Sequence, residues 1–444
     1  MNSCDIIIIG SGPGGYELAA NAVKHNLSTV IIERDQLGGT CLNRGCIPTK
    51  ALCRSAEVAD LVRNASSFGV EVNEFSLSYS KAVNRKDEIV EQLRQGVSML
   101  LNGATVVKGE AKFTGENVVE VNGESYTAPR IVIATGSKPA MLPIPGAELA
   151  MTSDDVLSLE QLPESICVIG GGVIGVELAS ILSSFGVKVT IVEYCSEILP
   201  NFDKEIAKRL RTALSRRGIK VVVSASVTAI REGMEVDYES KGKTVTLNVD
   251  AVLMAVGRRP VIPEGVVELG VKTGRRGIEV NERYETSIPG IYAIGDVNGE
   301  CMLAHAATAQ GERILGSEVD VTVVPAAVFT VPECSMVGLT EEQCREQGID
   351  YIVSKAMFRA NGKALAIGEV DGLVKLIVDK ESRKILGCHI CGPHAADIVQ
   401  EIALAISSQL TVDAVVDTIH AHPTLGEVVR AAASTCLLYT SPSP

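Results

Sequence analysis

The sequence predicts an α/β fold with two Rossmann-like units and a C-terminal α+β unit, and three observations carry this. Asp5–Gly15 (DIIIIGSGPGG) recurs as Ser165–Gly175 (SICVIGGGVIG) at an offset of 160 residues, with Glu17, Leu18 and Ala19 mapping onto Glu177, Leu178 and Ala179. Each copy then ends a second strand in an acid, Glu33 or Glu193, 23 residues after its first glycine. From about residue 325 the pattern becomes mixed strands and helices without a glycine fingerprint.

A lone G-x-G-x-x-G is weak evidence. Here it follows a strand, opens a helix and is closed by an acid at a fixed distance, twice. Gly10 and Gly170 allow the tight turn. Gly12 and Gly172 let a pyrophosphate approach the backbone, and Gly15 and Gly175 let helix and strand pack closely, with Gly14 beside the first of these. The helix N-terminus faces the phosphates. Glu33 and Glu193 can each accept hydrogen bonds from a ribose diol. The competing reading is two βαβ units that bind nothing. Glu193 would also repel a 2′-phosphate, and Tyr194 and Cys195 supply no cation, so the second site is expected to take NAD over NADP.

Between and beyond the repeats, apolar strands end in small residues at Ile131–Gly136, Val252–Gly257 and Ile291–Gly295, which suits close approach of a cofactor. Ser80–Leu101 reads as a long amphipathic helix, with Ile89, Leu93, Val97 and Leu100 as a stripe for core or interface packing. Pro139, Pro143, Pro145 and Gly146 mark a crossing between units. The second repeat's helix stops at Gly186. Strands are expected at 219–223 and at 244–249, where Val245, Leu247 and Val249 alternate. The domains so drawn are 1–145, 146–262, a returning segment 263–324, and 325–444.

With 444 residues there is room for about three domains. Apolar residues at 46% and charged ones at 21% exclude a disordered chain. A net charge of −13 argues against nucleic-acid and membrane-surface partners. No apolar run reaches the ~20 residues that a membrane span requires. Twelve cysteines scattered over this length read as buried thiols in a reducing cytoplasm, not as a disulfide framework.

Two of those cysteines are different. In Gly38-Gly39-Thr40-Cys41-Leu42-Asn43-Arg44-Gly45-Cys46-Ile47-Pro48-Thr49-Lys50 they stand five apart and begin a helix, where they can bond across its first turns. A helix N-terminus favours the thiolate at neutral pH. The alternative, a pair of structural cysteines, leaves the flanking glycines and lysine unexplained. Cys53, two turns on, reads as helical core.

This segment resembles the flavoprotein pyridine nucleotide-disulfide oxidoreductases, and among them the lipoamide branch. Leu-Asn-Arg stands between the cysteines, where glutathione and mercuric reductases usually carry Val-Asn-Val. The resemblance runs from Asp5 to about Ala433 through ATGSKP (134–139), VGRRP (256–260), GIYAIGDV (290–297), LAHAA (303–307) and HPTLGE (422–427).

The resemblance implies FAD in the first unit, held by Gly10, Gly12, Gly14, Gly15, Glu33, Gly39, Thr40, Thr135, Gly136 and Ser137. Asp296 would bind the ribityl chain, and Ala304 and His305 would lie near the isoalloxazine. Lys50 would sit beside the flavin and pair with Glu177. NAD would occupy the second unit through Gly170, Gly172, Gly175, Glu177, Glu193 and Gly257. The C-terminal unit would be a dimerisation domain.

His422 would be the acid/base, its tautomer fixed by Glu427, and would reach the active site of the other subunit of a homodimer. His420 would be packing. The implied reaction is oxidation of protein-bound dihydrolipoamide, with Cys41 as exchange thiol and Cys46 as the flavin-side thiolate. Electrons would pass through FAD to NAD. The physiological partner would be the lipoyl-bearing protein of a 2-oxo acid dehydrogenase or glycine cleavage complex. Alternatives are another disulfide or mercuric reductase of the family, and a non-catalytic flavoprotein scaffold.

Two further features are expected to be inert. Cys388-His389-Ile390-Cys391, with His394 nearby, could suggest a metal. In a strand, however, Cys388 and Cys391 point to opposite faces, so no metal site is expected. Cys436–Pro444 turns Ser/Pro-rich and is expected neither to sustain a helix nor to belong to the native chain.

Overall fold

The computed structural model describes residues 1–440, with side chains described as far as Cys436. Ile6–Ile9 is the middle strand of a five-stranded parallel sheet. Its order is Ile291–Ala293, Arg130–Ile133, Ile6–Ile9, Thr29–Glu33 and Thr105–Lys108. Four isoleucines in succession suit a strand covered on both faces. Ile7 and Ile9 enter one core and Ile6 and Ile8 another. The strand at 291–293 comes from beyond the second glycine repeat and closes the edge of this first sheet.

The second repeat builds a four-stranded parallel sheet, ordered Lys220–Val222, Lys188–Val192, Ser165–Ile169 and Ala251–Met254. An antiparallel ribbon of Ser137–Pro139 with Arg258–Pro260 ties the two units together. The third unit is a five-stranded antiparallel sheet, ordered 326–328, 333–338, 385–392, 373–379 and 351–357. Helices Ala395–Ser407 and Glu427–Thr440 pack on it.

Lys375, buried in that sheet, joins it to the second unit. Its Nζ lies 2.8 Å from Asp203, which caps helix Lys204–Arg216, and it also pairs with Glu341. Burial opposes the Lys375 charge, but the two carboxylates hold its pKa above the ordinary lysine value. Removing one partner from such a buried set costs about 3–5 kcal/mol.

Two expectations are refined and two are corrected. The long helix is Tyr79–Leu100, but its buried face is Tyr79, Ala82, Lys86, Val90 and Val97. Leu93 and Leu100 are exposed, because the face turned to the chain's own core is rotated from the stripe read by hydrophobicity alone. Val245 on strand Lys243–Asn248 is exposed as well: the strand is the edge of a small three-stranded sheet with little covering it.

The redox segment is not one helix. Gly39–Arg44 ends at Gly45, and a second helix, Cys46–Arg63, begins there. Finally, helix Glu427–Thr440 continues through Cys436, which is buried. Its apolar neighbours on the helix, Val429, Ala432 and Ala433, carry it into the third core. The Ser/Pro stretch Ser441–Pro444 lies outside the described residues.

Candidate functional site

The two glycine loops are near copies in space. At Gly10 φ is +102° and a Cβ would meet the Ala134 carbonyl oxygen at 2.3 Å; at Gly170 φ is +106° and a Cβ would meet that of Ala255 at 2.4 Å. Gly15 and Gly175 each pack against the carbonyl of their own loop's first glycine, at 2.0 and 2.1 Å from a built Cβ. Gly12 and Gly172 differ: a Cβ there would meet nothing within 4 Å. Both have ordinary φ values, −66° and −71°. Their empty side is a cradle at the N-terminus of a helix, the arrangement that a pyrophosphate requires.

This distinction makes a prediction. Gly12→Ala and Gly172→Ala should fold normally, since neither backbone nor neighbours object. The first should purify without flavin; the second should keep flavin but raise the KM for NAD by at least about tenfold. Flavin absorbance after gel filtration and NAD titration check this, and full flavin content in Gly12→Ala would contradict it.

Glu33 and Glu193 stand at the tips of their second strands. Ser11 donates to Glu33 Oε2 through its amide (2.8 Å) and hydroxyl (2.6 Å), and the Asp35 amide donates to Oε1 at 2.7 Å. Glu193 accepts from the Gly171 and Cys195 amides in the same pattern. Each carboxylate is thus fixed at its loop.

The short helix carrying Cys41 and the longer one beginning at Cys46 bring the two free thiols together, close enough for each to perturb the other. The hydrogen bond from Cys41, against the opposing effect of burial and with help from the Lys50 ammonium, lowers the Cys46 pKa to about 7. Donating that bond, together with burial, pushes the Cys41 thiol up. The pair is thus polarised, with the thiolate favoured on Cys46 and the proton on Cys41.

Lys50 lies one turn on from Cys46. Its Nζ reaches both Glu177 oxygens, at 3.1 and 3.0 Å, and stands 4.4 Å from the centre of the Phe329 ring. Burial opposes the Lys50 charge, yet Glu177 keeps its pKa above the lysine norm. Glu177 is buried in the second unit's helix and also accepts the Phe329 amide at 2.8 Å. This one contact set joins the dithiol helix, the second glycine unit and the third unit. Cys53 is buried behind it, its thiol donating to the Phe329 carbonyl at 3.2 Å.

The remaining first-unit residues meet on the other wall. The Thr135 hydroxyl donates to the Val261 carbonyl at 2.5 Å, and the Ser137 hydroxyl donates to Asp296. Ala304 opens helix Ala304–Ile314, and His305 Nε2 lies 2.8 Å from the Pro325 carbonyl, which fixes the ring sideways.

All of these line one cleft of about 1800 Å³, as do Gly14, Gly39, Thr40, Gly136 and Gly257. Typical ligand pockets are ~300–1,000 Å³, so a single small ligand does not account for this volume, whereas two dinucleotides do. The glycine cradles, the two fixed carboxylates and the dithiol between them fit FAD on the first unit and NAD on the second.

Three expected residues are not on the cleft lining. Gly175 is packed behind its loop, in a structural role. His422 and Glu427 lie on the third unit. His422 Nδ1 is 3.0 Å from Glu427 Oε1, the Thr424 amide donates to Oε2 at 2.8 Å, and the imidazole is 78% exposed. The Thr424 amide, then His422, lower the Glu427 pKa. His420 is tied to Glu401 at 3.1 Å and to the Thr418 carbonyl at 3.0 Å. Cys388 and Cys391 point into different cores, and no cluster of metal-binding residues occurs among the described residues.

Sequence reading missed Phe329 and gave Arg258 no role. Arg258 donates to the Ser137 hydroxyl at 2.7 Å and to its carbonyl at 2.8 Å. Arg258 sits in the quoted VGRRP motif and was findable; an isolated Phe with an accepting neighbour 152 residues away carries no local signal.

The chain matches the family model described as pyridine nucleotide-disulphide oxidoreductase over residues 4–311. It matches the corresponding dimerisation domain over residues 324–433. It is 41% identical to a dihydrolipoyl dehydrogenase of Geobacillus stearothermophilus, covering 98% of this chain and 96% of that one. A Bacillus subtilis dihydrolipoyl dehydrogenase is 40% identical, covering 97% of each. Among solved structures, the HOCl-induced flavoprotein disulfide reductase RclA from Escherichia coli superimposes with a TM-score of 0.86 at 30% identity, over 97% of this chain and 99% of that one. Fold, paired glycine loops, dithiol and full-length similarity agree: this chain belongs to the pyridine nucleotide-disulphide oxidoreductase family.

Proposed function

We propose that this chain is an NAD-dependent dihydrolipoyl dehydrogenase that uses FAD and works as a homodimer. The observation that carries the reading is the placement of Cys41 and Cys46 between two dinucleotide cradles and beside the Lys50–Glu177 pair, whose ammonium favours the Cys46 thiolate. FAD, when bound, supplies the two-electron link between dithiol and nicotinamide.

In the oxidised enzyme a thiolate of dihydrolipoamide attacks Cys41 Sγ, the Cys41–Cys46 bond breaks, and Cys46 leaves as the thiolate. His422 of the partner subunit accepts the first substrate proton. The second substrate thiol then attacks the substrate sulfur of the mixed disulfide, the bond to Cys41 breaks and its proton passes to the departing Cys41, which closes lipoamide and leaves a Cys41 thiol beside the Cys46 thiolate. The Lys50 ammonium stabilises the Cys46 anion throughout, and Glu177 holds Lys50 in place. Glu193 is suited to a ribose diol, which favours NAD.

The dimerisation-domain match supports the homodimer. No helix among the described residues is long and apolar enough to cross a membrane. The cytoplasm, and a lipoyl-bearing protein of a 2-oxo acid dehydrogenase or glycine cleavage complex, are the setting that fits this chemistry. Steady-state assay tests it directly. With dihydrolipoamide and NAD, kcat/KM should exceed that with glutathione disulfide and NADPH by at least about 100-fold. The opposite preference would reject the assignment.

A further inference from the structure

Beside the cofactor cleft is a second pocket, of about 540 Å³, that the reaction above does not use. Its walls carry four arginines, Arg258, Arg259, Arg275 and Arg276, and Gly299 and Met302 close it. On a chain with net charge −13, four arginines lining one pocket are a local reversal of sign.

The cluster is not consumed by internal ion pairs. Arg259 and Arg275 make no ion pair among the described residues. Arg276 lies within the field of Glu300 but pairs with no carboxylate within 4.0 Å among them. Arg259 stands directly opposite Lys138 across the ribbon that ties the two units. Like charges facing each other across paired strands are destabilising, so Arg259 has no internal neutralising partner on that face.

The pocket is also built to hold its shape. Arg275 and Arg276 occupy the turn between Thr273–Gly274 and Gly277–Ile278. The Arg276 carbonyl packs so closely on Gly299 that a Cβ there would come within 2.0 Å. The volume suits a small molecule. Guanidiniums grip planar, paired oxygens, so the fitting ligand has two or more adjacent phosphate or carboxylate groups.

We propose that this pocket binds a small polyanion, a phosphate chain or a polycarboxylate, and that Arg258 connects it to the cofactor cleft. Arg258 is shared between the two: its other contacts are Ser137 and, at 3.9 Å, Asp296. An anion drawing on Arg258 therefore acts on the residues facing the cofactor. The site is distinct from both glycine cradles and does not depend on which disulfide is the substrate.

The test is calorimetry on the FAD-loaded dimer saturated with NAD, so that both pyrophosphate cradles are filled. Pyrophosphate and citrate are titrated in turn, for the wild type and for Arg275→Ala/Arg276→Ala. Saturable binding that weakens by at least about tenfold in the double variant is the expected result. Tighter pyrophosphate identifies a phosphate ligand, and tighter citrate a polycarboxylate. Both arginines lie on an exposed turn outside the reaction machinery, so unchanged NAD-dependent turnover reports an intact variant. Absence of saturable binding by either probe, or equal affinity in wild type and variant, would overturn the proposal.

Discussion

Replacing Cys41 by Ser is expected to lower dihydrolipoamide–NAD turnover by about four orders of magnitude while leaving flavin bound. The argument starts from the difference between the two sulfurs. Thiol–disulfide exchange runs fastest when the leaving sulfur has the lower pKa. The Lys50 ammonium stabilises an anion on Cys46, which makes Cys46 the better leaving group and directs the substrate to Cys41. A serine hydroxyl forms no disulfide, and the exchange step is lost outright. The cofactor cradles are elsewhere on the cleft and unaffected, so oxidation of NADH by ferricyanide should persist. Lipoyl turnover above about 1% of wild type in a verified Cys41→Ser preparation would remove the exchange role.

What the sequence made legible follows from how local each signal is. The glycine loops, the closing acids and the cysteine pair are short-range patterns, and the structure places all of them, Gly175 apart, on one cleft. The break at Gly45 was not legible, because Cys41–Lys50 reads as helix-compatible throughout and only the backbone at Gly45 divides it. The Lys50–Glu177 contact spans 127 residues. It was inferred through family resemblance, since nothing in either residue's neighbourhood announces the other. Phe329, which completes that contact set, was invisible for the same reason. The helix Tyr79–Leu100 shows a different limit. Hydrophobic periodicity found the element but not which side faces this chain, because Leu93 and Leu100 are apolar and yet exposed. The helical run to Thr440 shows a third: composition near Ser441–Pro444 was extended backwards as far as Cys436, which packing holds in the third unit's core.

His422→Gln is expected to slow lipoyl exchange by about 10²- to 10⁴-fold, the range for losing one positioned general base. Its geometry says where it acts. The imidazole is turned outward, bound at Nδ1 to a carboxylate kept ionised by the Thr424 amide, and it is absent from its own chain's cleft. With Nδ1–H donated to Glu427, Nε2 is left as the acceptor, and the proposed mechanism places it at the cleft of another subunit. Mixing inactive subunits separates this from a role within one chain. Co-refolded Cys41→Ser and His422→Gln subunits form heterodimers in half of the dimers if pairing is random. Each heterodimer combines both defects in one site and leaves the other site whole, so turnover should return to about a quarter of wild type. If His422 served its own chain's cysteines, every site in the mixture would carry a defect and turnover would stay at the level of the separate variants. A two-fold arrangement that puts Cys41 of one subunit beside His422 of the other predicts recovery, and no arrangement within a single chain does.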